Sequence, residues 1–289
     1  MRLVTFRIDA GEQLGVMRNG DEVVEVHEPG DMLSLIDAGD EGLARVQSAL
    51  DSTRSRVHRL GGLELLPPLP EPRGNVIAIG RNYQKHAEET AKEGQEPSPP
   101  TVFTKAITSL TEPFADIAID PAISDKIDWE VELGVVIGRR GANIKRSGAR
   151  AYVFGYTALN DVTARDIQSG WGGQYFKGKS LDRSSPTGPW IVTADEIPDP
   201  QSLYLRLRVN GTVKQDGHTR DMIYPVDALI EWVSKGMTLL PGSMIATGTP
   251  DGVGFARTPP EFLKPGDVME TEVEGIGTLR NRIVGAARD

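Results

Sequence analysis

Residues 128–138 read Asp-Trp-Glu-Val-Glu-Leu-Gly-Val-Val-Ile-Gly. From Val131 the run is apolar and rich in β-branched residues, which predicts a strand. Side chains alternate along a strand, so Glu130 and Glu132 share one face and Val131 and Leu133 the other. Adjacent carboxylates repel each other unless solvated or neutralised. A hard divalent cation neutralises them well, and oxygen ligands suit Mg²⁺, Mn²⁺ or Ca²⁺. Taken alone, the pattern reads as a solvated strand face. A second acidic stretch changes that balance: Asn160-Asp161-Val-Thr-Ala-Arg165-Asp166 follows another apolar run, YVFGYTAL. A carboxylate from there would complete a facial set of oxygen ligands with open positions.

Outward from this centre, residues 101–289 are dominated by short β-branched runs (LYLRLRV, SMIAT, VMETEVEGI) punctuated by Gly and Pro. One clear helix, from Val226 to about Lys235, interrupts them. Strands do not alternate regularly with helices, so the expected class is α+β with a large mixed or antiparallel sheet system. VIAIG (76–80) reads as a buried strand. Asn82 is placed to cap a short helix from Tyr83 to about Lys92.

The first 73 residues differ in composition, with 13 acids, 8 arginines and no lysine. Residues 1–28 read as small antiparallel strands with tight turns, and 31–60 carry helical spacing through Met32, Leu35, Ile36, Leu43, Val46 and Leu50. Prolines 67, 68, 70 and 72 then make a stiff connector. The expected organisation is a small N-terminal α/β domain over 1–73 and a main domain over 74–289.

The length of 289 residues suits one large domain or two smaller ones. Without cysteine there is no disulfide framework, iron–sulfur cluster or thiol nucleophile. A net charge of −9 argues against an extended nucleic-acid footprint. Neither a signal-peptide pattern nor 18 consecutive apolar residues occur, so a cytoplasmic protein without a membrane partner is expected.

Gly173-Gln-Tyr-Phe-Lys-Gly178-Lys179-Ser180 matches the phosphate-binding pattern GxxxxGK[ST]. Such a loop must follow a strand and open a helix. SGWGG precedes it, and LDRSSPTGP, with Pro186 and Pro189, follows; a nucleotide site is therefore rejected.

His86 and Glu89, three apart on the expected helix, share a face, and a carboxylate there can support the imidazole as a base. The same helix also reads as an ordinary charged surface, with Lys85 and Glu89 as an i,i+4 pair. Lys179 lies in a Gly-Lys-Ser turn. Thr249 lies in ATGTPDGVG (246–254), where glycines would let backbone approach a ligand or simply make a turn.

In order along the chain, IGRNYQKHAEE (79–89), DWEVELGVVIG (128–138), GYTALNDVTARDIQ (155–168), GKSLDRSSPTGPWIVT (178–193), VNGTVKQDG (209–217), LLPGSMIATGTPDGVG (239–254) and LKPGDVMETEVEGIGTLRN (263–281) resemble the fumarylacetoacetate hydrolase family. Residues 1–73 resemble the small N-terminal domain of many bacterial members. The resemblance implies a mixed β-roll catalytic domain, a homodimer and a divalent metal, Mg²⁺ or Mn²⁺, with Ca²⁺ able to replace it in crystals. It places the metal on Glu130, Glu132 and Asp161, and the catalytic groups on His86, Glu89 and Lys179. Arg81, Tyr83, Arg165, Gln168 and Thr249 fall on substrate-binding positions. Ser243, and the absence of proline after Lys105, depart from the family pattern without touching the metal set.

The implied substrate is a small 2-oxo or diketo acid from aromatic or sugar acid catabolism. The first expectation is a hydrolase that cleaves a C–C bond of an acylpyruvate- or fumarylpyruvate-like β-diketo acid through an enolate. Oxaloacetate-type decarboxylation and hydroxymuconate-type isomerisation use the same intermediate. A catalytically silent, metal-stabilised binding protein is the alternative of another class.

Overall fold

The run beginning at Val131 is a strand, Val131–Ile137, buried along its whole length. In the computed structural model, which describes residues 1–8, 11–89 and 99–286, it pairs antiparallel with Val153–Asn160 and with Met244–Ala246. Both neighbours are buried too. Packing on both faces explains a continuous apolar run in place of polar alternation.

Among the described residues these strands lie in a sheet of twelve. To one side come Val76–Gly80, parallel to Met244–Ala246, and then Thr101–Lys105. To the other lie Ser185–Thr193 and the N-terminal strands Arg2–Ile8, Gly11–Arg18, Glu22–Val26 and Val57–Arg59. A second sheet of five strands contains Tyr204–Val209, Val268–Val273 and Gly277–Gly285. Leu205, Leu207, Met269 and Leu279 from it share one core with Val131, Leu133 and Val135. The expected α+β class with a large mixed sheet is the class the chain adopts.

The proline connector does not interrupt this sheet. Arg2 and Leu3 pair with Val192 and Ile191, so the strands before the connector extend those after it.

Helix α1 (Met32–Asp51) starts at Asp31, whose carboxylate accepts from the Ser34 amide at 2.7 Å. It stops short of the helical span expected to residue 60. The Ser55 hydroxyl takes the Ala49 carbonyl and Ser52 accepts from the Arg54 amide, contacts that compete with helix propagation. The chain then returns to the sheet as Val57–Arg59.

Helix α2 spans Gln84–Glu89; its expected continuation to Lys92 lies outside the described residues. Asn82 does not cap it. Its side chain is buried and bonds the Tyr224 amide and carbonyl and the Thr247 carbonyl, stapling three segments together. Helix α3 (Arg165–Gly170), not anticipated from the sequence, follows the second acidic motif, and α4 (Val226–Val233) is the clear helix expected near the C-terminal third. Residues 171–180 run as turns, without the strand and helix a phosphate-binding loop requires. No helix among the described residues is long and apolar enough to cross a membrane.

Candidate active site

Strand pairing builds the acidic centre. Val131 lies opposite Asn160, and the Asp161 amide donates to the Glu130 carbonyl at 2.8 Å. The Asn160 side chain accepts from the Glu130 amide at 2.9 Å, which locks the register where the two acidic motifs meet. One carboxylate oxygen from each of Glu130, Glu132 and Asp161 then lies within 4.8 Å of the others, and all three residues are buried.

Three buried cations surround this triad. Lys179 Nζ donates to Glu130 Oε2 at 2.8 Å and to Asp161 Oδ2 at 2.7 Å. Its loop packs on α3 because residue 178 is glycine: a Cβ there would lie 2.5 Å from the Gln168 nitrogen and 2.7 Å from the Ala164 oxygen. Lys105, at the end of strand Thr101–Lys105, is wholly buried 2.6 Å from Asp161 Oδ1, and it also donates to the Lys179 carbonyl. Arg165, opening α3, places Nε 2.8 Å from Asp128 Oδ2 and Nη2 2.6 Å from Glu130 Oε1. Neither Lys105 nor Asp128 was anticipated as part of the site.

The three acids experience different fields. Burial works against ionisation of Glu130, but Lys179, Arg165 and His86 outweigh it and hold its pKa at about 2. Glu132 lies well above the usual carboxylate range, because it is buried and faces the charges of Asp161 and Glu130. Its one hydrogen bond from the described residues comes from the Gly248 amide, at 2.8 Å. Gly248 sits at φ +96°, and a Cβ there would meet the Asn82 Cβ at 2.8 Å, so this close amide approach suits glycine. Burial opposes protonation of Lys179, yet Asp161 and Glu130 raise its pKa. For Lys105 burial wins and lowers it.

These residues fit a divalent cation. Four buried carboxylates, Asp128, Glu130, Glu132 and Asp161, face three buried cations, Lys105, Lys179 and Arg165. The uncompensated charge falls on Glu132, which meets no cationic side chain among the described residues, while Lys105 and Lys179 both lie against Asp161. Hard oxygen donors with a deficit of positive charge are the chemistry that Mg²⁺ and Mn²⁺ take.

A cavity of about 370 Å³ opens beside the triad. Glu130, Lys179, Arg165 and Gln168 line it, together with Arg81, His86 and Thr249. Phe103, Tyr175 and Phe255 add apolar wall. His86 Nδ1 lies 2.7 Å from Glu89 Oε1, and the Glu89 carboxylate accepts from the Gly252 amide at 3.2 and 3.3 Å. The dyad expected from spacing therefore exists, anchored to the glycine-dense loop.

The other expected positions divide. Arg81 reaches the cavity from a left-handed backbone, φ 55°, a conformation uncommon for a side chain of its size. Gln168 accepts from Arg165 Nη1 at 3.1 Å. The Thr249 hydroxyl donates to the Val131 carbonyl and accepts from Gln215, so its proton is committed to the fold. Tyr83 does not line the cavity; it is buried in the core, its hydroxyl without a hydrogen bond among the described residues.

The mixed-sheet fold thus carries a buried acid triad able to hold a metal ion beside a cavity lined by charged and aromatic side chains. The sequence profile described as fumarylacetoacetate (FAA) hydrolase C-terminal matches residues 75–284, and the chain belongs to the fumarylacetoacetate hydrolase family. It is 41% identical over 262 residues to the oxaloacetate tautomerase YisK of Bacillus subtilis, covering 88% of this chain and 87% of that protein. It is 40% identical over 293 residues to the mitochondrial oxaloacetate tautomerase FAHD2A of Bos taurus, covering 98% and 92%. Among solved structures, maleylpyruvate hydrolase from Sphingobium sp. SYK-6, in complex with manganese(II) ion and pyruvate, superposes with a TM-score of 0.82. That match has 28% identity and covers 99% of this chain and 100% of the other. Relatives and structural neighbours are thus enzymes whose names include tautomerases and hydrolases of small organic acids.

Proposed function

We propose that this chain is a divalent-metal-dependent enzyme that interconverts keto and enol forms of a small 2-oxo acid of the oxaloacetate type. The observation that carries the reading is the sharing of one cavity by His86, backed by Glu89, with Glu130, Lys179 and Arg165. Similarity to two oxaloacetate tautomerases over most of the chain supports the choice of substrate class.

Glu130, Glu132 and Asp161 would hold the metal, which supplies Lewis-acid polarisation of the 2-oxo group. With that ion the buried cluster carries one net positive charge, a place for an anionic substrate. His86 takes the proton from carbon 3 of the keto acid. The enolate oxygen takes a proton from solvent as the imidazolium gives its own to solvent, and the reverse direction runs the same transfers backwards. Glu89, 2.7 Å from Nδ1, holds the imidazole in orientation. Lys179 donates toward the oxygen that gains charge, and Arg165 and Arg81 draw the substrate carboxylates. The apolar wall of Phe103, Tyr175 and Phe255 limits access of water.

Every lining residue named lies after residue 74, which supports reading 74–289 as the catalytic unit and 1–73 as an accessory one. The dimer implied by the family resemblance belongs to the same proposal, checked by mass in solution.

C–C hydrolysis of a β-diketo acid is the second reading. The His86–Glu89 dyad favours it, because the same imidazole can remove a proton from water. The decisive experiment mixes enol oxaloacetate with the protein, with Mg²⁺ or with a chelator, and follows loss of enol absorbance while assaying pyruvate. Metal-dependent loss without pyruvate supports the tautomerase; pyruvate release identifies a decarboxylase instead. Inertness toward oxaloacetate with cleavage of an acylpyruvate would establish the hydrolase.

A further inference from the structure

Asp128 begins the acidic stretch, two residues before Glu130. The structure gives it a task of its own. Its carboxylate is wholly buried and accepts four hydrogen bonds. Oδ1 accepts from the Trp129 amide at 2.8 Å and the Gly254 amide at 2.7 Å. Oδ2 accepts from the Phe255 amide at 3.0 Å and Arg165 Nε at 2.8 Å. Four bonds fill the lone-pair sites of a carboxylate and leave none for a cation.

Two of those donors meet again in the cavity. The Phe255 ring lies across the Arg165 guanidinium, 4.3 Å from centroid to carbon, and both residues line the wall. Asp128 therefore fixes one edge of the guanidinium and, through the amide of residue 255, the aromatic face that covers it. Arg165 Nη2 lies 2.6 Å from Glu130 Oε1, so the same guanidinium also reaches the acid triad.

We infer that Asp128 is a positioning residue for anion recognition: it seats Arg165 and Phe255 as one unit on the cavity wall, and takes no part in holding metal. Arg165 and a metal both draw on Glu130, so loosening the arginine does not deprive the metal of negative charge. The inference rests on the proposed function only for the kind of anion that enters the cavity.

Asp128→Asn tests it. The variant keeps an acceptor for two amides but turns an N–H₂ group toward the N–H donors of Arg165 and Phe255, which breaks the seat. Mn²⁺ titrated into the chelator-stripped full chain, followed by oxalate titrated into the Mn²⁺-loaded chain, gives two affinities without turnover. The expected result is oxalate binding weaker by about tenfold, the loss of a charge-assisted contact, with Mn²⁺ affinity essentially unchanged. A residue that merely stiffened the ligand set would cost roughly 10- to 100-fold in metal affinity, and that outcome overturns the inference. Unchanged affinity for both probes, or a native chain that binds no oxalate, overturns it as well.

Should Asp128→Asn fail to fold, Phe255→Leu decides, since it keeps the backbone amide and removes only the partly exposed ring. Weaker oxalate with unchanged Mn²⁺ supports the seat, and unchanged oxalate sinks it. Failure of the native chain to tautomerise oxaloacetate would overturn the proposed function and leave these titrations standing.

Discussion

Glu132 meets the Gly248 amide at 2.8 Å and no cationic side chain among the described residues, whereas Glu130 and Asp161 both grip the Lys179 ammonium. In the metal-free chain its pKa is raised by burial and by the charges of Asp161 and Glu130. A cation must therefore displace a proton to reach it. Mn²⁺ affinity should rise with pH above the ordinary carboxylate value of 4.5. Calorimetry in two buffers of different ionisation enthalpy should show proton release on binding. Uptake of Mn²⁺ at neutral pH with no proton released would refute the assignment.

The same shift has a stability consequence. An acid whose folded-state pKa is raised stabilises the fold fully below its unfolded value, and that contribution is lost as pH rises through the folded value. Glu130, held at about 2, works in a separate window, losing its contribution as pH falls below the ordinary carboxylate range. The metal-free chain should therefore melt at lower temperature as pH increases above the ordinary carboxylate value of 4.5. Saturating Mn²⁺ should flatten the trend, and Glu132→Gln should flatten it without metal. A metal-free melting temperature independent of pH over that range would contradict this.

Glu130→Ala and Asp161→Ala should each abolish Mn²⁺ binding and turnover together. Asp161→Ala is the harsher change, because it strands the buried Lys105 ammonium and takes one of two carboxylates from Lys179. Retention of full Mn²⁺ affinity by Asp161→Ala would show that the ligand set is wrong.

His86→Ala separates chemistry from metal binding. Mn²⁺ affinity should stay near that of the native chain while kcat falls by about 10²- to 10⁴-fold, the usual worth of general acid–base catalysis. Glu89→Gln should give a smaller loss, since the amide still orients the imidazole without the charge. Equal damage to metal affinity and rate in His86→Ala would remove His86 from the proton-transfer role.

The two glutamates were legible because they alternate along the chain as it enters one strand; the second motif offered a further carboxylate, and the resemblance chose Asp161 from it. The dyad was legible because three-residue spacing on a helix is local. Lys105 and Asp128 were not, for a shared reason. Their partners lie far away in sequence: Lys105 meets Asp161, and Asp128 meets the amides of Gly254 and Phe255. Nothing in TKAITSL marks a lysine that ends a strand with its ammonium wholly buried. Tyr83 misled in the opposite direction. It lies among residues that reach the cavity, yet its own side chain turns into the core. The connector at 67–72 marks a real change of composition, but backbone pairing of Arg2 with Val192 depends on sheet geometry that no local pattern announces.

Lys105 offers the sharpest test of the buried charge arrangement. Its ammonium is fully buried, paired with Asp161 at 2.6 Å, and bonded to the carbonyls of Lys179 and, at 3.4 Å, Val162. Lys105→Met keeps most of the volume and removes the charge and three contacts. Breaking a buried pair from one side typically costs about 3–5 kcal/mol, because the remaining charge stays in the interior. Lys179 still holds Asp161, so the lower end applies, corresponding to a drop in melting temperature of roughly 6–12 °C for a chain of this size. Mn²⁺ should recover part of that loss by binding only the folded state. The lost bond to the Lys179 carbonyl should also lower kcat, since that carbonyl helps hold the Lys179 loop against the triad. Thermal melts with and without Mn²⁺ read the charge effect, and kcat reads the loop effect. A variant as stable as the native chain, with unchanged kcat, would show that the second lysine does not hold this site together.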